Sequence, residues 1–162
     1  MKEINVPDTI YDIVARKSKD ETEYLVDLVL KELTENEKIE TMRKLSDEYL
    51  KYAEDKYLND LLVESGEYYW KAISYLLKAI GVLLNYEITS YDQYYSMIEL
   101  LSYKFNDTSL VNLFVNAERL HGEFHPRPQE KSSFLARRDN AILLIQKLKS
   151  ILNELQCRSE SA

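Results

Sequence analysis

Residues 67–85, EYYWKAISYLLKAIGVLLN, are apolar almost all the way round a helical wheel, with Trp70, Ile73, Leu76, Leu77, Ile80, Leu83 and Leu84 leaving little room for a polar face. A helix of this kind is stable in water only when other helices wrap it, or when it is buried between subunits. Its neighbours in the chain carry the complementary pattern, apolar residues at helical rather than alternating spacing. Only three Gly and three Pro interrupt 162 residues, too few for the many tight turns a strand-rich fold needs. The chain therefore reads as all-α, and its length suits one domain with a small appendage.

The order of elements follows from the breaks. Residues 2–6 read as a short extended segment with Ile4 and Val6 on one side. Asp8-Thr9 after Pro7 gives a start signal for a helix to about Lys17. A second helix, with Tyr24, Leu25, Leu28, Val29 and Leu33 at i, i+3, i+4 spacing, reaches about Thr34. Asn36 is suited to cap a long helix to Val63 or Glu64, with Ile39, Met42, Leu45, Tyr49, Ala53 and Tyr57 inward. Ser65-Gly66 reads as a break, after which Glu64 and Glu67 suit the positive end of the apolar helix. Ser90 and Gln93 form a capping-box pattern for a helix to about Lys104 with Leu100 and Leu101 on its apolar side. Asn106-Asp107-Thr108 caps the next helix, which Pro126-Arg127-Pro128 ends. A last helix runs from about Glu130 to Leu155, followed by a polar, frayed tail. The many tyrosines invite a base-stacking role, but at helical spacing they read as packing.

Chemistry concentrates between Thr108 and Lys131, which holds both histidines, His121 and His125, and two of the prolines. From Arg119 to Lys149 seven basic residues face three acidic ones, a local excess of 7 − 3 = +4 in a chain of net charge −7. Such a balance disfavours generic DNA binding and leaves room for a local anion or RNA site. On a straight helix Leu110, Leu113, Phe114, Ala117 and Phe124 define the buried stripe. His121 then falls within it and Glu118 at its edge, and ~120° separates Arg119 from His125. Three readings of the histidines stay open. In the structural one His121 bonds within the core and His125 caps a helix end. In the second they join an RNA or nucleotide site with Arg119, Arg127, Arg137 and Arg138, arginine being the natural phosphate holder. In the third Glu118, His121 and His125 hold zinc or nickel.

Cys157 has no partner within the chain, which excludes an internal disulfide and suits a reducing compartment. No charged-then-apolar leader and no apolar run of ~20 residues is present, so a cytoplasmic protein without a membrane span is expected.

Two resemblances add to this reading. Residues 1–33, extended-Pro-helix-turn-helix, resemble the ribbon-helix-helix family, whose strands pair between two chains and enter the DNA major groove. The outward positions here would be Glu3 and Asn5, and residues 1–35 hold five basic and nine acidic side chains. Sequence-specific DNA reading is therefore not expected, and a dimerising or packing appendage is. Further on, KIETMRKLSDEYLKYAEDKYLNDLLVESGEYYWKAISYLLKAI, YDQYYSMIELLSYKF and VNAERLHGEFHP occur in the order of the archaeal PaREP family, which residues 36–155 resemble. Through that family the chain is similar to the HEPN superfamily. The resemblance implies an antiparallel four- or five-helix bundle, commonly a homodimer, that binds RNA or nucleotides beside a nucleotidyltransferase partner. Active HEPN members are metal-independent endoribonucleases using an arginine and a histidine, positions that Arg119 and His125 match here. Leu120 departs from the polar residue usual after that arginine.

The combined expectation is an N-terminal helical hairpin over residues 1–35, a HEPN-like bundle over 36–156 and a disordered tail over 157–162. The function expected is dimeric RNA or nucleotide binding without a cofactor. The alternatives are the endoribonuclease and a non-catalytic structural or adaptor partner.

Overall fold

A computed structural model describes residues 2–18, 20–122 and 130–160. Among them are seven helices and no strand: α1 (Asp8–Lys17), α2 (Glu21–Lys31), α3 (Glu35–Leu58), α4 (Leu62–Leu83), α5 (Asp92–Lys104), α6 (Ser109–Glu118) and α7 (Lys131–Glu160). No helix of the described residues is long and apolar enough to cross a membrane. The chain divides into two compact units, Met1–Lys38 and Ile39–Ala162, with the boundary inside the second turn of α3.

In the N-terminal unit α1 and α2 pack as a hairpin. Pro7 rather than Asp8 sits at the cap position of α1, as its fixed φ favours and its missing N–H permits. Asp20 caps α2 by accepting from the Glu23 N–H at 3.0 Å. The second helix stops at Lys31, three residues short of the expected Thr34, because Thr34 is needed elsewhere. Thr34 Oγ1 accepts from the Glu37 N–H at 3.4 Å while Glu37 Oε2 accepts from the Thr34 N–H at 2.9 Å. This reciprocal box, not Asn36, starts α3. The Thr34 hydroxyl, which also donates to Glu37 Oε2 at 2.7 Å, and then the Thr34 N–H hold the Glu37 carboxyl below its ordinary pKa. Residues 2–6 lie outside any helix or strand, and of this unit's described apolar side chains only Val14 and Leu30 are buried.

In the second unit α4 is the central helix, packed by α7, α5 and α6, and Ile73, Leu76, Leu77 and Ile80 have no exposed surface. The inner stripe of α7, Phe134, Ala141, Ile145, Leu148, Leu152 and Leu155, is buried as the spacing predicts, and the helix continues past Leu155 to Glu160. On α3 the stripe runs through Ile39, Met42, Ser46, Tyr49 and Ala53, with Leu45 only half-buried. On α5, Leu100 is exposed and Met97 takes the inward place. The tyrosines pack on one another: Tyr49 stacks against Tyr68 at 5.9 Å and Tyr75 at 5.6 Å, and Tyr57 against Phe134 at 5.8 Å.

The break between α3 and α4 falls five residues earlier than Ser65-Gly66. Asp60 turns the chain with φ 58° and the Leu61 N–H reaches back to the Lys56 carbonyl at 2.9 Å, a helix stop in which an acidic residue does the work usually given to glycine. Asn85 and Asn106 end α4 and α5 with the same left-handed geometry. Ser65 and Gly66 are thereby released for packing inside α4: Ser65 Oγ donates to the Ala53 carbonyl at 2.8 Å, and Gly66 lies so close to the Leu120 carbonyl that an added methyl would overlap it.

The start of α6 is tied to α7. Asp107 Oδ1 accepts from the Ser109 N–H at 3.1 Å, and Oδ2 accepts from Lys147 Nζ at 2.5 Å. Lys147 first, then Ser109, holds the Asp107 carboxyl below its ordinary range.

Alanine is normally the better helix former, yet Gly66→Ala should destabilise the protein by about 1–3 kcal/mol in denaturant unfolding, because backbone must move to admit the methyl. Asp107→Ala should cost about 1 kcal/mol near neutral pH. A depressed carboxyl stabilises above its unfolded pKa and stops doing so as pH falls through the folded value. The penalty of Asp107→Ala should therefore fade below about pH 4 when unfolding is followed against pH.

Candidate functional site

The helix expected to run on to Pro126 ends instead at Glu118. Arg119 is its C-cap and Leu120 begins a turn, with the Leu120 N–H bonded to the Ala117 carbonyl and the His121 N–H to the Glu118 carbonyl, both at 3.0 Å. Leu120 is buried, with its carbonyl against Gly66 of α4. The next residue of α4, Glu67, then meets the next residues of the turn: Glu67 Oε2 is 2.7 Å from His121 Nδ1 and Glu67 Oε1 accepts from the Gly122 N–H at 3.4 Å. One helical step further, the Trp70 ring lies on the imidazole at 5.1 Å with 9° between planes. The wheel argument that kept Arg119 from His125 therefore does not apply, since no straight helix connects them.

Glu118, expected at the edge of the apolar stripe, is 1% exposed. Its Oε1 accepts from the Tyr91 hydroxyl at 2.5 Å. Tyr91 also contacts the His121 ring at 6.1 Å and Trp70 at 5.4 Å, so α4, α5 and the end of α6 meet in one aromatic cluster. Burial, and then the negative charge of Glu118, pushes the Tyr95 phenol up to about 12, against the opposing charge of Arg119. Tyr95 stays protonated at neutral pH, and the Tyr91 hydroxyl donates to the buried Glu118 carboxyl.

Arg137 and Arg138 reach different neighbours. Arg119 is exposed near Tyr95, and no ion pair engages it among the described residues. Arg137 donates to Asn116 Oδ1 of α6 at 3.1 Å. Arg138 turns the other way, to α3 and α4: it pairs with Glu54, donates through Nε to the Tyr69 hydroxyl at 2.8 Å, and lies 4.5 Å over the Tyr57 ring. The Tyr69 hydroxyl in turn bonds Glu54, and its ionisation is pushed up by burial first and by Glu54 second. His125 and Arg127 lie outside the described residues, as does Phe124. The Arg119–His125 pair and the Glu118–His121–His125 set accordingly have no geometry here. Among the described residues no group of three His, Cys, Asp or Glu side chains is placed to hold a metal ion.

The partners that decide these roles were hard to find in the sequence. Glu67 reads as a helix-start acid only if α4 begins after Gly66, whereas it lies in the second turn of a helix that begins at Leu62. The available signal was the juxtaposition Gly66-Glu67-Trp70, a small residue beside an acid and a flat ring on nearly one face. Tyr57 reads only as an inward packing residue, and the pairing of Glu54 and Tyr69 with Arg138 has no signal before α7 is placed against them. A double-mutant cycle of Glu54→Ala and Arg138→Ala should give a coupling of about 1–2 kcal/mol in unfolding free energy, above an exposed pair, because this pair is half-buried and shares a phenol.

No curated protein and no solved structure matches the chain. A family model, described as the archaeal PaREP1/PaREP8 family, matches residues 41–145, which take in α3 from its second turn through the first half of α7. The chain belongs to the archaeal PaREP1/PaREP8 family.

Proposed function

We propose that this chain is a non-catalytic interaction module, whose second unit is a helical bundle that acts through what docks on it. The observation that carries the reading is the commitment of three of its candidate chemical groups. His121 is held between Glu67 and Trp70, Glu118 is buried under Tyr91, and Arg138 is enclosed by Glu54, Tyr69 and Tyr57. A general base must reach a substrate proton and a phosphate-holding guanidinium must keep donors free, and these groups spend themselves inside the fold. The likeness to HEPN bundles supplies the partner classes for such a module, a second copy of the chain or a nucleotidyltransferase.

A second reading, RNA or nucleotide binding, is favoured by Arg119, an exposed cation at the head of the basic stretch. In its enzymatic form, Arg119 and His125 cleave RNA without a metal. Incubating the purified chain with single-stranded RNA at ~50 mM salt, where phosphate contacts are strongest, separates these readings. The module reading predicts intact RNA and no retention, with or without divalent ions. Retention lost in Arg119→Ala establishes the binding site, and cleavage lost in a folded His125→Ala variant overturns the non-catalytic reading.

A further inference from the structure

The surroundings of His121 distinguish a charged imidazole from a neutral one. Nδ1 lies 2.7 Å from Glu67 Oε2, with the imidazole side chain 15% exposed and the carboxylate 30%. The ring is stacked on Trp70 at 5.1 Å, and Tyr91 lies at 6.1 Å with 24° between planes. Among the described residues, α4 supplies the Glu67 charge. The start of α5 supplies the Tyr91 phenol, with Tyr95 in contact with it and Asp92 within electrostatic reach of Tyr95. The end of α6 supplies Glu118, bonded to the Tyr91 hydroxyl, and Arg119 on the Tyr95 side. Three carboxylates thus stand against one guanidinium. A carboxylate in contact and aromatic faces favour an imidazolium, while burial opposes one. Contact wins here, because His121 and Glu67 both keep water at one edge and desolvation is incomplete.

We propose that Glu67, His121 and Trp70 form a pH-sensitive latch: with the imidazole charged they clamp the His121–Gly122 end of the turn to α4, and with it neutral that end loosens. Glu67 ties two consecutive residues, through His121 Nδ1 and through the Gly122 N–H at 3.4 Å, so its grip on the ring is also a grip on the chain. A neutral ring still has one N–H to offer, so the tie weakens rather than breaks. The direction follows from linkage. Glu67 raises the affinity of the ring for its proton, so the charged tie is fully present below the ordinary histidine value of ~6.5 and is lost as pH rises through the higher value of the folded chain. On the acid side it ends where glutamate takes up a proton, near pH ~4.3. The latch is therefore tight between about pH 5 and 6.5 and loosens above neutrality. This device goes beyond the reading of the protein as an interaction module and does not depend on it.

Trp70 is the only tryptophan of the chain, so its emission reports on the ring stacked against it. A charged imidazole accepts an electron from excited indole more readily than a neutral one and quenches it. Trp70 emission followed from about pH 5 to 9 should therefore rise, with a midpoint above ~6.5 and unchanged helical content. Glu67→Gln keeps an acceptor for Nδ1 and removes the charge, and should lower the midpoint by about one unit or more. His121→Gln should abolish the transition. Amide exchange of the intact chain, corrected for the intrinsic rate at each pH, gives the second readout. Protection of the His121 and Gly122 amides should fall across the same transition, by about tenfold for each unit that the midpoint stands above ~6.5, since the two measure one coupling. The centre of α4 should show no such step. Emission and exchange are read on the native chain, so the test stands where a variant fails to fold. Flat emission, a midpoint at or below ~6.5, or a transition without a step in protection overturns the latch. So does a transition that persists in folded His121→Gln or is indifferent to folded Glu67→Gln. RNA retention and cleavage enter none of these readouts, so the latch and the non-catalytic reading fail separately.

Discussion

The second unit is organised by one close approach, the Leu120 carbonyl against Gly66. Because no side chain separates them, the turn after α6 lies against the backbone of α4, and side chains one residue further on each element come within bonding reach. Glu67 takes the His121 imidazole and the Gly122 amide, and Trp70 covers the ring. A bulkier residue at position 66 would lift the turn, lengthen these bonds and open the aromatic cluster that joins α4 to α5. The geometry thus converts a missing methyl group into the placement of a histidine.

That placement changes what the histidine is. A histidine beside a basic stretch invites a catalytic reading, because imidazole titrates near neutrality and arginine holds phosphate. Here a carboxylate fixes Nδ1 and an indole fixes the ring plane, both from a helix with no other business at the surface. Arg138 has the same character on the opposite side of α7, where it joins α3 to α4 and α7 through Glu54, Tyr69 and Tyr57. Polar groups that would be costly to bury alone are buried in mutually satisfied sets, which hold helices in register more than they add stability.

The elements whose pattern is repeated were legible in the sequence. The all-round apolar α4 is central, the inner stripe of α7 is buried, and α1 and α5 end where their patterns end. What failed was reading glycine as punctuation. Gly66, read as a break, lies inside α4, whereas Asp60, Asn85 and Asn106 take the left-handed conformation at helix ends. Three left-handed stops on acid or amide residues are consistent with how few glycines the chain has. With Ser65-Gly66 read as a break, Glu67 becomes a helix-start acid, and its bond to a residue 54 positions away has no visible cause. The apolar stripe of α2 is a different case: its spacing is that of a core-facing stripe, yet Leu25, Leu28 and Val29 are exposed.

The claim that the turn carrying His121 is held by α4 rather than left open for a ligand is tested most directly by amide hydrogen exchange across residues 119–122. Bound as described, these amides should exchange slowly in the intact chain, and Glu67→Ala should speed them about tenfold or more while the centre of α4 is unchanged, the loss expected for one charge-assisted tie. Free exchange in the intact chain, or protection indifferent to Glu67→Ala, would contradict the account and return His121 to the list of available bases.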